Sequence, residues 1–317
     1  MKRFFVIDTF ALLFRAYYAL PDMKTQAGLP SGSIFGISNF ILQIFETWKP
    51  DYLYAVIDKG APTFRHDMYE EYKANRTEAP DDFKAQIDHA FRIIKSFDIP
   101  IIGLTGFEAD DLAGSLGKKI YEEREDAEII FFTGDHDYFQ LVNDRVSVLT
   151  PKIGFHKARM YTPEAVQEKL GVIPNQVVDF KGLKGDASDN IPGVPGVGDK
   201  TAAKLINEYE NIEGVYEHIS DLKGKLKENL EQYKDQAFLS RDLARIDIHM
   251  DLSESIIEDG KVHELDYENI EKVLLEYECY KSLGRLKNMK NIGSSKDYTE
   301  FKSSENMPNK AEQQSLF

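Results

Sequence analysis

The sequence predicts an α/β fold: a mostly parallel sheet with helices on both faces, followed by a strand-poor helical region. Two observations carry this. Short apolar runs rich in β-branched and aromatic residues alternate with helix-patterned stretches over the first ~160 residues, as βαβ units require. Several of these runs also end at an acid: Asp8 closes Phe4-Phe5-Val6-Ile7, Asp58 closes the run from Leu53 to Ile57, and Asp135 follows Ile129 to Gly134. In open α/β sheets the crevice beyond the carboxyl ends of the strands is where sites form.

In order, the pattern predicts a strand over 4–8 and helices over 9–20 and 32–47. A strand over 52–58 comes next, then a charged stretch 60–90. A strand over 99–104, a helix over 108–124 and a strand over 128–133 complete the series. From Thr162 the chain reads as helical, with Pro163 suited to a first helical position. Residues 202–209 and 233–244 carry helix spacing. From Gly293 the composition turns to Ser, Lys, Glu, Asn and Gln, too polar to bury a core alone. The expected organisation is a core over 1–163, a helical region over 164–290 and a disordered tail over 291–317.

Composition excludes several classes. With 317 residues, 42% hydrophobic, the chain can build about two domains. A single cysteine, Cys279, rules out an internal disulfide framework and fits a reducing compartment. The start Met1-Lys2-Arg3 followed by apolar residues superficially resembles a signal peptide, but Asp8 cuts the run short and no small-residue cleavage site appears. No apolar run approaches the ~20 residues that span a bilayer. A cytoplasmic protein without membrane association is expected.

The net charge of −15 argues at first against nucleic acid. Its distribution argues otherwise. Nine acids gather at a few places: Asp8, Asp58, Glu108, Asp110, Asp111, Asp135, Asp137, Asp186 and Asp189. Like charges brought to one crevice repel unless cations neutralise them, and an all-oxygen set suits Mg²⁺ or Mn²⁺ rather than zinc. Around them lie Lys59, Arg65, Lys73, Arg76 and Lys84, then Lys181, Lys184, Lys200 and Lys204. A basic track around an acidic metal centre suits a phosphodiester substrate.

Each motif has an ordinary explanation to weigh. Glu108-Ala109-Asp110-Asp111 opens a helix, where acids complement the dipole by ~0.3–1 kcal/mol each; three acids in four positions exceed that need, with Asp111 the member closest to a supporting role. Gly134-Asp135-His136-Asp137 reads as a turn, yet its acids fall at the end of a strand already flanked by Asp8 and Asp58. His136, alone between two acids, reads as passive. The stretch from Lys181 through Asp186 and Asp189 runs into Gly193-Val194-Pro195-Gly196-Val197-Gly198, then Lys200, Thr201 and Lys204. A glycine-rich hairpin between two helices exposes backbone amides to phosphates, as a helix-hairpin-helix element gripping DNA backbone would.

These motifs together resemble the bacterial and phage 5′-nuclease family, which includes the 5′→3′ exonuclease domain of DNA polymerase I and the flap endonucleases. The resemblance rests on Asp8 with Phe14-Arg15-Ala16-Tyr17-Tyr18-Ala19, on Thr63-Phe64-Arg65 to Tyr72-Lys73-Ala74-Asn75-Arg76, and on Glu108-Ala109-Asp110-Asp111. Gly134-Asp135-x-Asp137 and the run Gly185 to Gly193 complete it, and the match covers roughly residues 1–290. Thr9 stands where the family usually has Gly, and His136 where Lys is common; neither departure removes a carboxylate. With no polymerase sequence following, the likeness is to a free-standing form.

The resemblance implies a PIN-like nuclease core and two divalent ions, Mg²⁺ or Mn²⁺. Asp8, Asp58, Glu108 and Asp110 would hold the tighter ion, and Asp135, Asp137, Asp186 and Asp189 the second, partly through water. It places Lys73 and Arg76 on a helical arch over about 60–90 as contacts to the scissile phosphate. Tyr72 is expected to stack on a base, Arg15 and Arg65 to bind phosphate, and the hairpin 193–198 to hold K⁺ against DNA. The implied substrates are nicked or branched duplexes with 5′ ends or flaps, and RNA-primed DNA, cut by a monomer working at the nucleoid. A catalytically silent branched-DNA binder and a PIN-type ribonuclease are the alternatives; the complete acidic set argues against the first, the hairpin and arch against the second. The ending Gln313-Gln314-Ser315-Leu316-Phe317 resembles the peptide by which bacterial replication proteins dock on the sliding clamp, two apolar anchors and a hydrogen-bonding Gln on a polar tail.

Overall fold

The computed structural model describes residues 1–60, 62–151 and 158–294. Strand β1 (Lys2–Asp8) is central, with Phe4 to Ile7 almost wholly buried on both faces, as its unbroken apolar run requires. Helix α1 (Thr9–Ala19) starts directly at its end, capped by the Asp8 carboxylate, which accepts from the Ala11 N–H at 3.2 Å. Helix α2 (Gly32–Gln43) passes into a π-helical turn over Ile44–Trp48 and delivers the chain to β2 (Tyr52–Val56). The short helix α3 (Phe64–Met68) and α4 (Asp81–Ser96) lead to β3 (Ile101–Ile102). Then come α5 (Ala109–Glu123), β4 (Ala127–Phe132), β5 (Val146–Pro151) and β6 (Ala158–Tyr161).

The sheet order is β3-β2-β1-β4-β5-β6, parallel except for β6. The order reverses at β1, so the crevice between β1 and β4 is the topological switch point. The expected α/β architecture is what the chain adopts. Three details differ. The strand expected over 99–104 shrinks to two residues, Pro100 having no N–H to give. Strands β5 and β6 lie outside the series that the sequence pattern predicts. The stretch 60–90 is no continuous helical arch: Lys73 sits at φ +56, a left-handed conformation that ends helical winding, and α4 starts only after Pro80.

The remainder is helical: α6 (Pro163–Leu170), α7 (Val177–Lys184), α8 (Asp199–Tyr209), α9 (Ile212–Glu217), α10 (Gly224–Gln232), α11 (Lys234–Ala244), α12 (Ile256–Asp259), α13 (Tyr267–Glu276) and α14 (Tyr280–Ser294). Helices α6 to α11 pack on the α5 side of the sheet, while α13 and α14 join α2 and α4 on the other. No helix among the described residues is long and apolar enough to cross a membrane. Most of the expected tail, and with it the whole docking peptide Gln313, Ser315, Leu316 and Phe317, lies outside the described residues.

Candidate metal centre

The switch point collects the acids. Asp8 ends β1, Asp58 lies two residues past β2, Glu108 and Asp110 open α5, and Asp135 and Asp137 follow β4. A ladder of short-range hydrogen bonds builds the β4 corner. Thr133 Oγ1 donates to Asp8 at 2.8 Å and accepts from the Asp135 N–H at 3.0 Å, and Asp135 accepts from the Asp137 N–H at 2.9 Å. Thr133, which joins two of the acids, gave no signal in the sequence beyond its place before Gly134.

The last two acids arrive on the loop between α7 and the hairpin. Its base depends on two glycines in left-handed conformations, Gly185 (φ +75) and Gly193 (φ +61). A Cβ on Gly193 would fall 2.2 Å from the Gly185 nitrogen, so no side chain fits at this crossing. Residues 71–76 dock onto the loop: the Lys73 N–H donates to the Asp189 carbonyl (2.9 Å), Asn75 to that of Ala187 (2.7 Å), and Asn190 to that of Glu71 (2.6 Å). The basic stretch after α3 is thereby closed over the acids.

Charge pairing sorts the acids into two groups. Glu108 and Asp189 take Lys73 Nζ, at 2.6 and 3.7 Å, and Asp189 also takes Arg76. Asp137 and Asp186 share Lys181, which lies 2.7 Å from Asp186. By contrast Asp8, Asp58, Asp110 and Asp135 have no ion pair among the described residues. Burial and the nearby Asp135 push the Asp8 carboxyl up to about 7. Burial, with Asp111 and Glu108 close by, raises Asp110 well above the carboxylate range. Burial raises Asp135 as well, against the pull of Lys181 and with the push of Asp189 and Asp186. Burial alone would raise Asp186 too, but Lys181 and Ser188 hold it down at about 2.

The donor set is oxygen throughout, the chemistry of a hard divalent cation. Among the described residues no three acids close on one point as metal ligands do; the ammonium groups of Lys73 and Lys181 stand between carboxylates where added positive charge is needed. The Tyr138 hydroxyl is buried without a hydrogen-bond partner among the described residues, in the field of Asp8, Asp110, Asp135 and Asp58. The residues fit a divalent centre in composition and electrostatics.

Four expectations are corrected. Asp111 is no metal ligand: fully buried, it holds Arg65 through two hydrogen bonds of 2.7 Å and accepts from the backbone N–H groups of Asp247 and Glu108. Arg65 is not a phosphate contact, since it is 1% exposed and also donates to the carbonyls of Leu243 and Arg245. Tyr72 cannot stack on a base, because its ring is 3% exposed and its hydroxyl donates towards Glu108 and Asp189. Lys181 belongs to no basic track, being buried among the acids.

In the hairpin, Val194 and Val197 are buried core residues, and Gly193 N–H donates to Ser240 inside the protein. What the hairpin turns outward is Gly196, Gly198 and Lys200, with Lys204 a turn later and Thr201 half-buried. Arg15 is half-buried beside Gly134, and His136 stacks on Phe139 at 4.6 Å, as a passive residue does.

Residues 3–171 match the family model for the 5′-3′ exonuclease N-terminal resolvase-like domain, and residues 172–271 that for the 5′-3′ exonuclease C-terminal SAM fold. The chain belongs to the 5′-3′ exonuclease family of nucleases. DNA polymerase I of Caldicellulosiruptor bescii is 40% identical over 283 residues, 89% of this chain and 33% of that polymerase. That of Bacillus subtilis is 39% identical over 246 residues, 77% of this chain and 28% of the polymerase. The chain thus spans a third or less of the length of these curated relatives. Among solved structures, T5 5′-exonuclease with bound divalent zinc superposes with a TM-score of 0.66 at 22% identity, covering 90% of this chain and all of that one. The catalytic core of Rad2 in complex with a DNA substrate superposes at 0.56 with 16% identity, covering 87% and 88%. The exonuclease-family fold is common to all of them.

Proposed function

We propose that this chain is a structure-specific 5′-nuclease, a 5′→3′ exonuclease and flap endonuclease that also removes RNA primers in replication and repair. The observation that carries the reading is the placement of eight carboxylates around the switch point of an exonuclease-family chain, four of them without an ion pair among the described residues.

In this reading Asp8, Asp58, Glu108 and Asp110 hold one divalent ion, and Asp135, Asp137, Asp186 and Asp189 hold a second. Mg²⁺ is the proposed ion, with Mn²⁺ able to replace it. When bound, two such ions supply Lewis-acid stabilisation of the attacking and leaving oxygens. Lys73 and Arg76, paired with Glu108 and Asp189 in the closed arrangement, turn to the scissile phosphate as substrate enters. Arg15 contacts phosphate at the cleft edge. Gly196, Gly198, Lys200, Thr201 and Lys204 grip the duplex backbone, with K⁺ at the hairpin between protein and DNA.

The division into a nuclease core over 1–163 and a DNA-gripping helical region over 164–290 follows this assignment. A monomer working in the cytoplasm at the nucleoid, tethered to the sliding clamp by Gln313, Ser315, Leu316 and Phe317, completes the proposal. The test is cleavage of a 5′-labelled flap, a nicked duplex and an RNA-primed duplex side by side, with Mg²⁺, with Mn²⁺ and with EDTA. Metal-dependent release of short 5′ products from all three is expected; no cleavage, or cleavage undiminished by EDTA, refutes it.

A further inference from the structure

Helix α1 turns two aromatic residues, Tyr17 and Tyr18, toward the surface, and Tyr18 is 68% exposed. A lone exposed tyrosine needs no explanation, but this ring is held in place. Phe14 lies flat on Phe83, with centroids 3.9 Å apart and planes 10° apart. Tyr18 continues the stack at 6.4 Å and 16° from Phe14. Tyr17 meets Tyr18 edge-on at 5.1 Å and anchors its own hydroxyl on Asp82 at 2.6 Å. The outer end of a three-ring stack therefore faces solvent.

Its place in the fold matters as much. Helices α2 and α4 both begin beside α1: Ser33 Oγ donates to the Leu13 carbonyl, the Ser33 N–H donates to Gln86, and a side chain on Gly32 would meet the Leu20 carbonyl. Both helices then run down to strands β2 and β3, so their starts lie at the carboxyl end of the sheet, the end that carries the acids. On the same helix, one turn before Tyr18, Arg15 reaches to Gly134 next to Asp135, its Nη1 3.3 Å from where a Cβ would stand. No acid pairs with Arg15 among the described residues. Positions three apart share a helix face, ~4.5 Å along the axis. From the acids outward, the face thus presents an unpaired cation and then a fixed aromatic plane.

We propose that Tyr18 is a nucleobase-stacking site: a nucleotide adjoining the acid-lined cleft lays its base on the outer face of the Tyr18 ring while Arg15 holds its phosphate. Stacking of this kind accepts any base, because every base has a π-face, and would fix the strand's path without reading its sequence. The proposal rests on the nuclease reading above.

The experiment uses the full chain in EDTA, so that binding is separated from cleavage, with flap duplexes carrying 2-aminopurine at successive positions on either side of the junction. Wild type and Tyr18→Phe are expected to quench the probe at one position, and Tyr18→Ala is expected not to. Tyr18→Ala should also bind the flap about tenfold more weakly, and an abasic site at the quenched position should remove the difference between it and wild type. Unchanged quenching and affinity in Tyr18→Ala overturn the site. So does an equal loss on intact and abasic DNA, which would mark the ring as packing only. If wild type neither binds these duplexes nor cuts them with Mg²⁺, the nuclease reading itself falls, and this site with it.

Discussion

Truncating Asp111 and neutralising Asp8 should move stability in opposite directions, although both residues are buried acids of the same cleft. Asp111→Ala strands the Arg65 guanidinium, 1% exposed, without the two 2.7 Å hydrogen bonds that compensate its charge. It also removes the acceptor used by the Asp247 N–H at 2.8 Å. Breaking one side of a buried ion pair costs about 3–5 kcal/mol. Asp8 has the reverse balance. Its carboxyl, displaced from 3.8 to about 7, is ionised at pH 8 at a cost of roughly 4 kcal/mol, while Asp8→Asn removes the charge and keeps one carbonyl acceptor, for the Ala11 N–H, with its amide N–H able to donate to the Thr133 hydroxyl. In the absence of divalent ions, the folded state holds a proton on Asp8 between pH ~4 and 7 that the unfolded state has released. Stability from this group therefore falls as pH rises through that window and is lost above it. Asp8→Asn should flatten the decline and raise the denaturant midpoint at pH 8. The assay is urea unfolding in EDTA from pH 4 to 8 for wild type and both variants. An Asp111→Ala midpoint equal to wild type, or an Asp8→Asn midpoint below it at pH 8, would refute this division.

Three further outcomes are expected. Asp135→Ala or Asp58→Ala should abolish cleavage while leaving DNA affinity near normal; near-normal turnover in either, measured at saturating flap substrate, removes the two-ion assignment. Lys73→Ala should cut turnover about a hundredfold with little change in affinity, whereas Lys200→Ala should weaken binding and reduce the salt slope by about 1; rates and affinities at two salt concentrations separate them. A chain ending at Glu312 should lose affinity for purified sliding clamp, and equal titration curves for the two lengths would retire the docking peptide.

Much of the fold was readable because β1, β2 and β4 are buried on both faces and must be uninterrupted apolar runs. Strand β6 escaped notice for the opposite reason: an antiparallel edge strand carrying Arg159 and Met160 needs no such run. The arch failed as a helix because Lys73 adopts φ +56, which hydrogen bonding to the 187–190 loop stabilises, and no local pattern announces a tertiary contact of that kind. The same limit explains Arg65 and Tyr72. Both sit in a basic, aromatic stretch that reads as a nucleic-acid surface, and only the packing of that stretch against α5 and residues 243–247 turns them inward.

The acids themselves show what sequence spacing cannot resolve. Glu108, Asp110 and Asp111 are nearly adjacent in the chain, and their spacing marks Asp111 as the member closest to a supporting role without showing what it supports. The structure separates them by what each is given to bind. Asp111 receives a buried guanidinium, so its charge is already answered and its contribution is to fix the start of α5. Glu108 receives Lys73, the ammonium that in the proposed function turns to a substrate phosphate. Asp110, like Asp8 and Asp135, has no ion pair among the described residues and is raised by burial and by its neighbours. Under the proposed metal assignment, a fold that holds three such groups without an ion pair among the described residues is destabilised until cations arrive. Binding to the folded state alone returns RT ln(1 + [L]/Kd). Mg²⁺ should therefore raise the unfolding midpoint of wild type in a concentration-dependent way and leave that of an Asp8→Asn, Asp135→Asn double variant almost unmoved.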